Sequence, residues 1–404
     1  MLVKNVTMLG HKDHGKSTLI GSILMLTNSV SKARIEEAKR YSKRLGRPFE
    51  PAFILDSFEE EREGGLTIDT TRAEASYKGV AFELIDVPGH EELIKNMMSG
   101  ASFAETAILV VSAKQEEGIR EQTKRHVFIA RMLGIESLLV AVNKMDSANY
   151  SKKVYEGIVD EIKKFFAGIG FTGKVRFVPI SAYNGDNIIS RSKKMSWYKG
   201  KPLLEELYAL TRSKSKDGMK DLRAVVQGFI EESNRRLVGA KVLSGVLKRG
   251  KVTFLPGNIK RNILKLVVKG KSVGSAKSGE SVAIELDKPL EEPRGLVISS
   301  GCKPIVSNKV HALLFSTMRL GPDSKITLRL LGKDVEVKKV SILSIIDASS
   351  GASKKGKAIA PLDAGHAELL LGSDVAVEKY SNLKSMGRFT FYKGSKFGGV
   401  GIIE

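Results

Sequence analysis

The sequence predicts an α/β domain, a mostly parallel sheet with helices on both faces, followed by two all-β barrel domains. Three observations carry that prediction. Up to about residue 212, short apolar runs rich in β-branched residues alternate with helical patterns. Beyond residue 220 the helical periodicity largely disappears, and short β-rich runs are punctuated by Gly, Pro, Asn and Asp. Between the two textures lies Ser213-Lys214-Ser215-Lys216-Asp217-Gly218, polar and glycine-containing, which reads as a linker.

In the first part the expected strands are Val3–Leu9, Ala81–Ile85, Ala107–Val111, Leu138–Val142 and Val175–Ile180, with helical stretches such as Thr123–Leu133 and Val154–Phe166 between them. In the second part they are Leu222–Ile230, Lys241–Leu247, Val252–Leu255 and Ser281–Leu286, then Lys309–Phe315, Lys325–Leu330, Val335–Ile346 and Ala367–Leu371. Lys303-Pro304 is the expected seam between the barrels. The expected domains are therefore residues 1–212, a linker at 213–220, a barrel at 221–302 and a second barrel at 303–404. No internal repeat is present.

A chain of 404 residues with 42% hydrophobic content has material for several cores. Its single cysteine, Cys302, excludes a disulfide framework and any cysteine-only metal site. No apolar run reaches transmembrane length, and Met1–Val6 lacks the layout of a signal peptide. Together these point to a soluble, cytoplasmic protein. The formal net charge is +21. Residues 221–404 carry 31 Lys+Arg against 17 Asp+Glu, a net of +14, while residues 1–220 carry 35 against 28. Such an excess fits a phosphate-rich partner such as RNA, and equally a scattered solubilising surface.

Gly10-His11-Lys12-Asp13-His14-Gly15-Lys16-Ser17-Thr18 fits G-x-x-x-x-G-K-[ST], between an expected strand and an expected helix at Ser17–Met25. Gly10 and Gly15 let the backbone curl so that its N–H groups face phosphates. Lys16 reaches the β- and γ-phosphates, and the Ser17 hydroxyl is a candidate Mg²⁺ ligand. Asp86-Val87-Pro88-Gly89-His90 follows the strand at Ala81–Ile85. There the Asp86 carboxylate can hold Mg²⁺ through water, and the Gly89 N–H can contact a γ-phosphate. Asn143-Lys144-Met145-Asp146 ends another strand. Asp146 can accept two hydrogen bonds from guanine N1 and N2, a donor pair that adenine lacks, so the motif points to GTP rather than ATP. Ser181-Ala182 fits the loop that supports the base. Thr67, in the charged segment Glu61–Asp69, can ligate Mg²⁺ only while a γ-phosphate is present, which makes it a switch. Each short motif alone is weak. Their order and their placement at strand ends make the set specific.

With these motifs the chain resembles elongation factor Tu and elongation factor 1-alpha. The resemblance continues through Gly185-Asp186-Asn187, Trp197-Tyr198-Lys199-Gly200, Gly245-Val246-Leu247-Lys248 and Gly387-Arg388-Phe389. It spans essentially the whole chain and implies a GTP-binding domain followed by two β-barrels. It implies that His90 positions the attacking water, so that catalysis is mostly positioning and electrostatics, completed by a partner. It also suggests that Asp13 helps place a monovalent cation. Two positions depart from the pattern. Lys12 stands where relatives carry an apolar residue that helps screen the histidine, and Gly64 stands where they carry arginine or another polar residue.

Two partners are compatible with the resemblance. An elongation or release-type factor carries tRNA, or a tRNA-shaped protein, to the ribosome; His14 and the basic barrels favour this reading. The alternative is the GTPase subunit of a sulfate adenylyltransferase, which Leu55–Glu60, Glu117–His126 and Ile346–Ser350 resemble. A third reading, a non-hydrolysing GTP-binding scaffold, runs against the intact Lys16, Ser17, Thr67, Asp86 and His90.

Overall fold

In the computed structural model, residues 2–55, 71–86, 106–114, 121–132, 134–135, 137–212, 221–232 and 235–404 are described. The expected linker at 213–220 lies outside them. The chain divides into two compact units, Met1–Lys214 with Ala348–Ala352, and Ser215–Asp347 with Ser353–Glu404.

The first unit is built on a six-stranded sheet. Its strands are β1 (Leu2–Leu9), β2 (Thr71–Tyr77), β3 (Val80–Asp86), β4 (Thr106–Ser112), β5 (Ser137–Asn143) and β6 (Lys174–Pro179). They lie in the order β2-β3-β1-β4-β5-β6, parallel throughout except that β2 runs antiparallel to β3. All seven residues of β4 and of β5 are buried. That is why these strands read as continuous apolar runs rather than alternating ones: both faces are covered. Ile108, Val110, Leu139 and Ala141 share a core with Leu19, Ile20 and Ile23 of α1 (Lys16–Leu26). Their neighbours Leu109, Val111, Leu138 and Val140 point to the opposite face by the two-residue period of a strand, and are as fully buried there.

Among the described residues three further long helices follow α2 (Lys32–Arg44): α3 (Glu121–Met132), α4 (Lys152–Gly168) and α5 (Leu203–Arg212). In α4 the buried residues Val159, Ile162 and Phe166 recur at helical spacing, and the Ser151 hydroxyl caps its start by accepting from the Val154 N–H at 3.4 Å.

The second unit holds two closed antiparallel barrels of six strands each. The first runs through Leu222–Glu232, Arg235–Ser244, Ser281–Leu286, Ile259–Val268, Gly250–Leu255 and Val297–Ser300, which pairs back onto the first strand. The second runs through Ile305–Ser316, Asp363–Val377, Lys333–Ile346, Ile326–Leu330, Arg388–Lys393 and Lys396–Ile403, and closes in the same way. Closure leaves no unpaired edge among these strands.

Four barrel strands were not evident in the sequence, and two of them show why. In Ile259–Val268 a register shift between Ile263 and Lys265 turns Leu264 outward, 49% exposed, which breaks the alternation. Lys396–Ile403 contains Gly398, Gly399 and Gly401, which read as a turn. The rings of Phe389 and Phe391 occupy the space their side chains would fill; a Cβ on Gly401 would lie 2.3 Å from Phe389 Cζ. The expected strand Lys241–Leu247 is two strands. The first ends at Ser244, Gly245 turns the chain at φ +67, and Val246–Lys248 pairs instead with Ser275–Lys277.

The two barrels share an apolar cluster: Val225, Leu255 and Val297 from the first, Ala376, Leu383 and Met386 from the second. Beside it Arg223, 1% exposed, donates through Nε to Glu378 Oε1 at 2.8 Å and approaches the same oxygen through Nη2 at 2.7 Å. Its remaining donors reach the carbonyls of Leu222 and Cys302. Removing one member of a buried pair strands the other charge. Arg223→Ala is therefore expected to destabilise the second unit by about 3–5 kcal/mol, read as a shift of its guanidinium unfolding transition by circular dichroism, and a change under ~0.5 kcal/mol would contradict the pairing.

Candidate functional site

The parallel registers bring the carboxyl ends of β1, β3, β4 and β5 level. Met8 pairs with Asp86, Leu9 with Leu109, and Ser112 with Asn143. After β1 the chain turns to one side of the sheet, towards β3, and β4 lies on the other. That reversal opens a crevice at the strand ends, the usual ligand position of such sheets.

The phosphate loop fills this crevice. Gly10 has φ +131, and a Cβ there would lie 2.3 Å from the Val110 carbonyl oxygen. Only glycine permits both that conformation and that approach. His11 caps a short 3₁₀ turn, Lys12–His14, its Nδ1 accepting from the Asp13 N–H at 3.3 Å. Gly15, at φ +84, then lets α1 begin at Lys16, and the first amides of that helix have no helical acceptor. Lys16 is 9% exposed, and its Nζ donates to the carbonyls of Gly10 and His11, each at 3.2 Å. The ammonium thus bridges the loop and keeps a proton for an anion. The Ser17 hydroxyl donates to Asp86 Oδ2 at 3.4 Å. A hydroxyl and a carboxylate side by side are the hard oxygen donors that Mg²⁺ takes.

Two expected contributors take positions that motif reading does not specify. The His14 ring is fully buried, with Nδ1 3.1 Å from the Val110 carbonyl oxygen, so it braces the loop against β4. Asp13 is 61% exposed beside His11, 3.5 Å from its Nδ1. Thr18 lies in the first turn of α1.

The base side is organised by Asn143. Its Nδ2 donates to the His14 carbonyl at 2.9 Å, and its Oδ1 accepts from the Ala182 N–H at 2.8 Å. Lys144 follows at φ +60, and the Met145 N–H donates to the Ile180 carbonyl at 3.1 Å. Asp146 Oδ1 is buried and has no hydrogen-bond partner among the described residues. A buried carboxylate oxygen left open is costly unless a ligand donor meets it, which is what guanine N1–H and N2–H would do. Thr67, Gly64, Gly89 and His90 lie outside the described residues, as does the Lys12 side chain.

Sequence reading missed the support behind the base loop. The backbones of Ser181 and Asp186 exchange hydrogen bonds at 3.3 and 3.1 Å. The Asp186 carboxylate accepts from Tyr150 OH at 3.0 Å, Ser192 Oγ at 2.7 Å and Lys194 Nζ at 3.3 Å. Trp197 Nε1 donates to the Tyr150 carbonyl at 2.9 Å, and Asn187 Nδ2 to that of Pro179 at 2.9 Å. Burial raises the Tyr150 phenol above its ordinary range; the Lys194 hydrogen bond acts against this, and the Asp186 acceptor adds to it. Hydrogen bonds to Tyr150 and then Asp186 raise Lys194. Of these, Asp186, Asn187 and Trp197 stood in the sequence within Gly185-Asp186-Asn187 and Trp197–Gly200, stretches without readable chemistry of their own.

Residues 1–232 match the family model described as the elongation factor Tu GTP binding domain. The chain belongs to the elongation factor Tu/1-alpha family of GTPases. It binds guanine nucleotide and hydrolyses GTP to GDP. Residues 309–404 match a second model, the GTP-eEF1A C-terminal domain-like family. Elongation factor 1-alpha of Aeropyrum pernix is 34% identical over 420 aligned positions, covering 99% of this chain and 95% of that protein. The factor of the same name from Saccharolobus solfataricus is 35% identical, covering 99% and 96%. Among solved structures, Sup35 complexed with GDP is 25% identical with a TM-score of 0.43, covering 100% of this chain and 93% of the other. No helix among the described residues is long and apolar enough to cross a membrane.

In this GTPase the Asp186 network holds the loop whose amide meets Asn143. Asp186→Ala is expected to weaken GDP binding by about tenfold, equivalent to ~1.4 kcal/mol for a lost buried network, in a fluorescent-GDP titration. Unchanged affinity would show that the base loop holds itself.

Proposed function

We propose that the chain is a Mg²⁺-dependent switch that delivers a tRNA, or a tRNA-shaped protein, to the ribosome. The observation that carries this reading is the extent of the family likeness: it runs past the nucleotide domain into residues 309–404 and covers 99% of the chain against relatives named elongation factor 1-alpha. The net charge of +14 on residues 221–404 supports a phosphate-rich partner.

In this account Lys16 and the Gly10–Gly15 loop bind the β- and γ-phosphates, and Asp146, Asn143, Ser181 and Ala182 bind the base. Mg²⁺, held by Ser17 and Thr67 and through water by Asp86, would neutralise charge on the phosphates. His90 orients water for in-line attack on the γ-phosphorus. The bond to the β–γ bridging oxygen breaks, GDP leaves with that electron pair, and phosphate carries the water oxygen. Loss of the γ-phosphate removes the group that the Gly89 N–H holds and that keeps Thr67 in place as a ligand, and the grip on the partner changes.

The test is GTP hydrolysis by the purified protein alone, with ribosomes, and with a sulfate adenylyltransferase catalytic subunit. Stimulation by ribosomes is expected; stimulation only by the adenylyltransferase subunit would overturn the reading in favour of sulfate activation. His90→Ala is expected to lower the stimulated rate by at least ~10²-fold with GDP affinity unchanged, and an unaltered rate would remove His90 from the mechanism.

A further inference from the structure

The nucleotide site gives no role to the positive charge of the second unit. Part of that charge is gathered on the outer wall of the first barrel. There Gly250–Leu255 lies between Ile259–Val268 and Val297–Ser300. Phe254 is fully buried in the barrel core, so Lys251 and Thr253 stand on the outer face by strand alternation. Register sets Lys251 opposite Asn262, and Thr253 between Lys260 and Ser299. These residues, with Arg261 and Lys303, line an open cavity of about 630 Å³.

The lining holds four cations, Lys251, Lys260, Arg261 and Lys303, against one carboxylate, Asp287. Asp287 Oδ1 is engaged, accepting from the Asn262 N–H at 2.9 Å. The three lysines are exposed and have no ion-pair partner among the described residues. Arg261 is fixed in place: its Nη1 donates to the Lys260 carbonyl at 2.9 Å and its Nη2 to that of Pro289 at 3.2 Å, while its Nε is buried with no partner among the described residues. Like charges held together repel, and an anion among them relieves that repulsion while accepting charge-assisted hydrogen bonds. The hydroxyls of Thr253, Ser299 and Ser300 add polar groups, and no aromatic ring among the described residues lines the cavity. A stacking platform for a base is therefore missing. The walls fit charged oxygens.

We propose that this groove binds clustered phosphate groups, borne either by a free oligophosphate or by the sugar–phosphate backbone of an RNA. The proposal rests on the groove alone and stands whether or not the ribosome is the partner.

The experiment is isothermal titration of the full chain saturated with GDP, which occupies the phosphate loop. One arm adds tripolyphosphate, the other a short single-stranded RNA. Two triple variants are compared: Lys251→Gln with Lys260→Gln and Lys303→Gln in the groove, and Lys338→Gln with Lys355→Gln and Lys393→Gln, exposed on the second barrel. Both remove the same charge. The groove variant is expected to lose at least ~10-fold in affinity, and the control less than ~2-fold. Saturable binding of tripolyphosphate with this pattern assigns a free oligophosphate ligand. Binding of RNA alone with this pattern assigns a backbone ligand. Equal losses in the two variants, or binding of neither probe, would overturn the proposal.

Discussion

One buried side chain sets the geometry of the crevice at the strand ends. Asn143, 2% exposed at the end of β5, donates to the phosphate loop at His14 and accepts from the base loop at Ala182. Only an amide offers a donor and an acceptor in these positions; a carboxylate or an aliphatic chain would leave a buried backbone group unpaired. The same residue constrains the loop in front of it. A Cβ on Gly15 would lie 2.6 Å from Asn143 Nδ2. The glycine that starts α1 and the asparagine that ends β5 therefore require one another. Both depend on the sheet register that sets Asn143 opposite Ser112.

The sheet supplies that register because its central strands are apolar on both faces. A one-residue slip between parallel strands would displace the loops at their ends by the rise of a residue, about 3.3 Å, more than a hydrogen bond tolerates. The barrels answer to a different constraint. Their closure depends on residues that approach closely, such as Gly401 beneath Phe389, and their mutual contact on a buried ion pair, Arg223 with Glu378. Such a pair contributes little net stability beside an apolar replacement, yet it penalises any packing that separates the two groups.

The same contrasts explain what could be read from the sequence. The parallel strands were legible because burial on both faces writes itself as uninterrupted Val, Ile, Leu and Ala. The turn after β1 was legible because its backbone conformations demand glycine at positions 10 and 15. The outward turn of Leu264 and the packing of Gly398, Gly399 and Gly401 were not legible, because each is settled by a neighbour distant in sequence. Asp186 and Tyr150 belong with these. Asp186 acts on the site through Ser181, and nothing in its local sequence distinguishes it from a loop carboxylate. Thr67, Gly89 and His90 lie outside the described residues, and their roles belong to the proposed mechanism.

Asp146 Oδ1, buried and without a hydrogen-bond partner among the described residues, is the group proposed to read guanine. The most direct measurement is the affinity of the unaltered protein for GDP, IDP and ADP under identical conditions. GDP presents two donors to the carboxylate, IDP only N1–H, and ADP neither. IDP is expected to bind roughly tenfold more weakly than GDP and ADP at least ~10²-fold more weakly, one step for each donor lost. Equal affinity for GDP and ADP would contradict it.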